Sequence, residues 1–132
     1  MISESTRATW SPRLLSIVRI IVGLMFMQHG LTKYFGFPLA SPAGFQAASL
    51  VGAAGVIEIV AGALVAIGLF ARLAAFLASG EMAIGYFLIH APKSFFPQVN
   101  GGEGAIFYCF VFLYIAIEGG GPWSIDAARS RS

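Results

Sequence analysis

Between Leu50 and Leu69 lie twenty residues with a single charge, Glu58, almost at their middle. At 1.5 Å of rise per residue such a helix is about 30 Å long, the thickness of a bilayer's hydrocarbon core. Backbone in that medium must satisfy its own hydrogen bonds, and a helix does so locally. The whole chain repeats the pattern, with 58% hydrophobic and only 11% charged residues. A soluble domain carries about 25% charged residues because its surface has to be solvated. The expected fold is therefore an all-α integral membrane four-helix bundle with antiparallel spans, one domain over residues 1–132.

Four spans are expected, at about 14–31, 50–69, 73–90 and 103–118. Residues before Pro12 read as a polar or interfacial tail with Trp10 as an anchor, and the first span as a retained helix rather than a cleaved leader. Lys33 to Ser49, rich in proline, glycine and aromatics, reads as a loop at headgroup level. Phe70-Ala71-Arg72 is too short to be more than a tight turn. The breakers Pro92, Pro97 and Asn100-Gly101-Gly102 separate the third span from the fourth. Arg7, Arg13, Arg72, Arg129 and Arg131 fall on one side of this layout and only Lys33 and Lys93 on the other. The positive-inside rule then places both termini in the cytoplasm. His29, Lys33 and Phe35 recur as His90, Lys93 and Phe95, and Glu58 as Glu118, at offsets of 60 or 61, which suggests a weak internal duplication.

Several function classes drop out. The net charge of +2 is scattered, with no basic run to hold a nucleic acid. The single cysteine, Cys109, excludes an intrachain disulfide or a CxxC redox pair; it reads as a small buried hydrophobe. His29, His90 and Glu103 near one interface lack the local spacing of a metal site, so no metal is expected.

What remains is charge inside hydrocarbon, which costs roughly 2.5–3.5 kcal/mol per group at a helix centre. Arg19, Gly23, Phe26, Gly30 and Lys33 recur at helical spacing and form one stripe; Gly55, Glu58, Gly62 and Val65 form another. Small residues beside the charges predict close helix packing there. By depth, Arg19 is the expected partner of Glu58, Glu81 or both, and Arg19, His29, Glu58 and Glu81 form the candidate polar core. Lys33, His90, Asn100 and Glu103 form an expected outer cluster that closes the bundle mouth. One arginine against two midplane carboxyls leaves one to exchange protons or to face water, a candidate for ligand handling.

These pieces in this order resemble the DoxX family of small four-span membrane proteins. The resemblance rests on Arg19-x3-Gly23-x2-Phe26-x2-His29-Gly30-x2-Lys33-x-Phe35-Gly36, then Glu58-x3-Gly62 with Gly68 and Arg72. Glu81-Met82, His90-x-Pro92, Asn100-Gly101-Gly102-Glu103 and Gly121-Pro122-x-Ser124-x-Asp126 follow, so that it covers Leu14 to Asp126. It implies a multi-pass protein of the bacterial cytoplasmic (inner) membrane, of a kind often named putative oxidoreductase or quinone-linked subunit. The chain carries no haem, flavin or iron–sulfur motif, so a redox role needs a bound quinone or a partner redox enzyme. The leading expectation is an accessory or quinone-linked membrane subunit. The rivals are a proton-coupled transporter of a small hydrophobic or acidic solute, which would need a homo-oligomer, and a non-enzymatic scaffold.

Overall fold

The computed structural model describes residues 1–131 and is all-helical, with no strand among them. Helix α1 (Glu4–Phe35) begins much earlier than the apolar pattern suggests. The Ser3 side chain accepts from the Thr6 amide and Glu4 sits in the first turn, an N-terminal cap that outweighs Pro12 inside the helix. At 32 residues α1 is about 48 Å long, more than a bilayer core needs. Gly36, in the left-handed region at φ 65°, ends it and turns the chain into the loop of residues 36–49.

Helix α2 (Leu50–Ile67) is capped by Ser49, whose hydroxyl accepts from the Gly52 amide. A tight turn at Gly68 to Phe70 leads into α3 (Ala71–Gly85). Phe70 occupies the cap position of α3 at φ 49° and has no side-chain oxygen with which to cap it. Asp126 supplies one from far along the chain, accepting from the Phe70 amide at 2.8 Å and the Ala71 amide at 2.9 Å. Helix α3 continues as a π-helical turn, Tyr86–His90, and a 3₁₀ turn, Ala91–Lys93. The short helix α4 (Pro97–Asn100) and then α5 (Glu103–Glu118) bring the chain back. Helix α6 (Ile125–Arg131) closes the described chain.

Helix α1 packs along α2 and α3 along α5, with α2 against α3 between the two pairs. The N-terminal side, the α2–α3 turn and the C-terminal segment meet at one end, since Trp123 donates its amide to the Ser16 hydroxyl and Asp126 donates its own to the Gly68 carbonyl. The core is Phe26, Ala61, Val65, Ala74, Ala75, Ala78, Phe112 and Ile115. Outside it, Leu24, Val60, Phe76, Leu77, Ile84, Phe87, Phe107 and Phe110 are exposed. Three helical segments, Glu4–Phe35, Leu50–Ile67 and Ala71–Lys93, are long and apolar enough to cross a membrane. The apolar exterior suits lipid far better than water.

Both glycine stripes do what their spacing predicts. The buried positions of α1 are Ser16, Arg19, Gly23, Phe26 and Gly30, and those of α2 include Gly55, Glu58, Gly62 and Val65. The backbones approach so closely that a Cβ on Gly23 would lie 2.6 Å from the Ala66 nitrogen, and one on Gly62 2.8 Å from the Met27 nitrogen. Gly62→Ala must therefore push the pair apart and is expected to cost about 1–3 kcal/mol, the usual penalty of overpacking. Thermal denaturation in detergent measures this; an unchanged midpoint would contradict the contact.

Candidate functional site

Three polar layers lie along the bundle, and they differ from the expected arrangement. The first correction concerns Arg19, which pairs with neither Glu58 nor Glu81. Its side chain is fully buried and donates to four backbone carbonyls. Nε meets Gly120 at 2.7 Å, one terminal nitrogen meets Val65 and Ala66 at 2.7 and 2.6 Å, and the other meets Trp123 at 2.5 Å. Val65 and Ala66 lie in the last turn of α2, where carbonyls run short of helical partners (Val65 keeps the Gly68 amide) and carry the negative end of the helix dipole. Arg19 thus caps α2 and ties the Gly119–Trp123 segment to it. Gly121 packs on the Ser16 hydroxyl and Gly68 on Ser124, so the segment seats without side chains in the way. This layer is an anchor whose cation is spent on backbone.

The second correction concerns Lys33, expected at the outer surface. Its ammonium reaches inward and holds both oxygens of Glu58, at 2.5 and 2.6 Å. The route is open because Gly55 has no side chain; a Cβ there would meet the Lys33 stem at 3.3 Å and the Tyr34 ring at 2.8 Å. Tyr34 fixes the same region by donating to the Gly52 carbonyl at 2.8 Å. The Glu58 side chain is 4% exposed and that of Lys33 19%. Glu81, from α3, adjoins this pair: its carboxyl lies within side-chain hydrogen-bonding reach of Glu58, and Glu58 and Lys33 are the charges that act on it. Its Oε2 is buried and has no hydrogen-bond partner among the described residues.

One lysine thus answers one of two adjoining carboxyls. An ammonium has three protons, and the third has no acceptor among the described residues. Tyr108 of α5 lies in the field of Glu58. It packs on Phe26 and Phe112 at ring-centroid distances of 5.5 and 5.8 Å. His29, expected in the polar core, is exposed on the flank of α1, with its ring edge-on to Tyr108 at 5.8 Å.

The third layer is at the end opposite the termini. Asn100 is its hub: the amide donates to the Tyr86 hydroxyl at 3.2 Å and the Ser94 carbonyl at 3.0 Å, while Oδ1 accepts from the Gly102 amide at 2.7 Å. His90 Nδ1 lies 3.0 Å from the Asn100 carbonyl oxygen. The expected cluster of His90 and Asn100 is therefore present, but Lys33 belongs to the layer below it. Glu103 lies exposed in the first turn of α5, outside the network. The proposed duplication has no chemical counterpart here, since Glu118 is exposed at a helix end whereas Glu58 is buried at a helix middle.

Sequence reasoning missed Tyr86, Tyr108 and Asp126 as working residues. Asp126 stood in the tail motif, but nothing marked it as a cap for a helix starting at residue 71. For Tyr108 the signal was present, one polar tip in the aromatic run of Phe107, Tyr108, Phe110, Phe112 and Tyr114.

The chain matches the DoxX family over residues 14–91. It is 42% identical over 122 residues to a protein of Haemophilus influenzae (strain ATCC 51907 / DSM 11121 / KW20 / Rd) described only as uncharacterized, covering 89% of this chain and 91% of that one. No solved structure matches. The matched segment holds Arg19, Lys33, Glu58 and Glu81, so the carboxyl pair and the arginine of the anchor lie inside it, though the Gly120 and Trp123 carbonyls do not, and the chain belongs to the DoxX family.

Proposed function

We propose that this membrane protein binds a quinone-like ligand at the Lys33–Glu58–Glu81 group and serves as an accessory subunit to a partner oxidoreductase. The observation that carries the reading is the buried Glu81 Oε2 with no partner, set beside a lysine that still has a proton to give. An unmet polar atom in a bundle interior costs about 1–3 kcal/mol, and a ligand oxygen offers a way to meet it. The donor set suits a carbonyl or phenolic oxygen: the third Lys33 proton, the Tyr108 hydroxyl, and Glu81 itself in its acid form. Tyr108, half-buried and backed by Phe26 and Phe112, gives a flat ring something to lie against. A quinone would supply the electron-carrying chemistry when bound; the chain's own residues hold and orient its polar edge and pass a proton at Glu81.

In this reading α5, 16 residues long, is the fourth span, and the excess of arginine at the terminal end supports a bacterial inner-membrane protein with both termini in the cytoplasm. The experiment is extraction of the protein in mild detergent, followed by chromatography of lipid-soluble material released by organic solvent. A quinone at near-stoichiometric amount, reduced severalfold in Glu81→Gln, is the expected result. Equal trace quinone in both preparations would overturn the reading.

A further inference from the structure

Deepening the reading above, we infer that the ligand reaches the Lys33–Glu58–Glu81 group sideways from the lipid, through the seam between α1 and α5, with His29 and Tyr108 as its gate.

The other three seams are closed by short contacts. Between α1 and α2 the backbones touch at Gly23, Gly30 and Gly62. The α2–α3 pair is joined by a tight turn and lined by buried Ala61, Ala74, Ala75 and Ala78. Helices α3 and α5 are tied by the Ser79 hydroxyl, which donates to the Cys109 carbonyl at 2.7 Å, and by the Tyr86 ring lying where Gly102 leaves room. Neither end offers a route to the group: the hollow at the terminal end is lined by Phe70, Arg72, Glu118 and Asp126 and by none of the three site residues, with Arg19 and its carbonyls beneath it, and the Asn100 network fills the other end. The α1–α5 seam is different. It is bridged by rings, Phe26 to Phe112 at 4.8 Å and His29 to Tyr108 at 5.8 Å. Rings hold helices apart and can swing about their χ angles, which interlocked backbones cannot do.

One polar side chain marks this seam. His29 is exposed on α1, one turn deeper than Lys33, where the surroundings are apolar, and its ring meets Tyr108 of α5. A polar group at that depth carries a cost unless something meets it. A passing ligand head with carbonyl oxygens does so for His29, and hands on to Tyr108, which already lies in the field of Glu58.

The test plugs the seam reversibly. His29→Cys is made in a Cys109→Ser background, reconstituted in nanodiscs, and labelled with a benzyl thiosulfonate. Decylubiquinone is the probe, followed in stopped flow by quenching of aromatic fluorescence. A plug at the gate is expected to slow association and dissociation together by about tenfold or more while leaving Kd unchanged, because a barrier on the path acts equally in both directions. Dithiothreitol restores both rates, and the same label on Leu77→Cys, on the lipid face of α3, changes neither. Unchanged rates on the labelled His29 variant overturn the portal and leave the binding site standing. A weaker Kd from faster dissociation alone also overturns it, since His29 would then be a ligand contact. No binding by the unlabelled protein overturns the proposed function, and the portal with it.

Discussion

Arg19→Ala is expected to remove the protein from the membrane fraction, or to leave it with a thermal midpoint too low to purify. The substitution orphans the Ala66 and Trp123 carbonyls, leaves those of Val65 and Gly120 with one weaker donor each, and removes the arginine's tie between the C-terminal segment and α2. Hydrogen bonds to a charged group contribute about 1.5–3 kcal/mol each. Together they approach or exceed the roughly 5–15 kcal/mol by which a domain is stable at all. Arg19→Lys is expected to fall between, since an ammonium cannot reproduce the planar fork that reaches carbonyls on α2 and the tail at once. Immunoblotting of membranes and a detergent melting curve check this. Wild-type abundance and melting in Arg19→Ala would contradict the anchor.

The second large effect belongs to Lys33. Lys33→Met leaves the Glu58 charge buried and unanswered, which costs about 3–5 kcal/mol when one member of a buried pair is removed. The double variant Lys33→Met, Glu58→Leu is expected to recover most of that loss, because the pair removed whole leaves no stranded charge. Arg19 distinguishes this arrangement from the pairing expected on depth alone. Adding Glu58→Leu to Arg19→Ala should not return the protein to the membrane fraction on an immunoblot, whereas an Arg19–Glu58 bridge would give such a recovery. A double-mutant cycle on detergent melting or denaturant unfolding provides the numbers.

The helical spacing of Arg19, Gly23, Phe26 and Gly30 and of Gly55, Glu58 and Gly62 sufficed to predict which faces meet, because periodicity and residue size carry that information. The chemistry of the same stripes was less legible. Depth pairs Arg19 with carboxyls because a sequence displays side chains, whereas its acceptors are backbone oxygens, two from Val65 and Ala66 and two from Gly120 and Trp123, a hundred residues away. Lys33 was placed at the surface by the depth of its Cα. Its stem is long, and the missing side chain at Gly55 lets it run inward to Glu58. His29 went the other way, since one turn of helix separates a core-facing position from a flank. The early start of α1 was hidden by Pro12, although Ser3 and Glu4 already carried the signal of a capped helix.

Glu81 allows the most direct measurement. Glu81→Leu removes an unpartnered buried oxygen along with the contact to Glu58 and leaves the Lys33–Glu58 ion pair in place, so the fold should be about as stable as the parent. Binding of decylubiquinone to the same variant in nanodiscs should weaken by about tenfold or more, the loss of roughly 1.4 kcal/mol of contact with the ligand. Retained stability with lost binding is the predicted result. Lost stability with undiminished binding would contradict it and make Glu81 part of the scaffold.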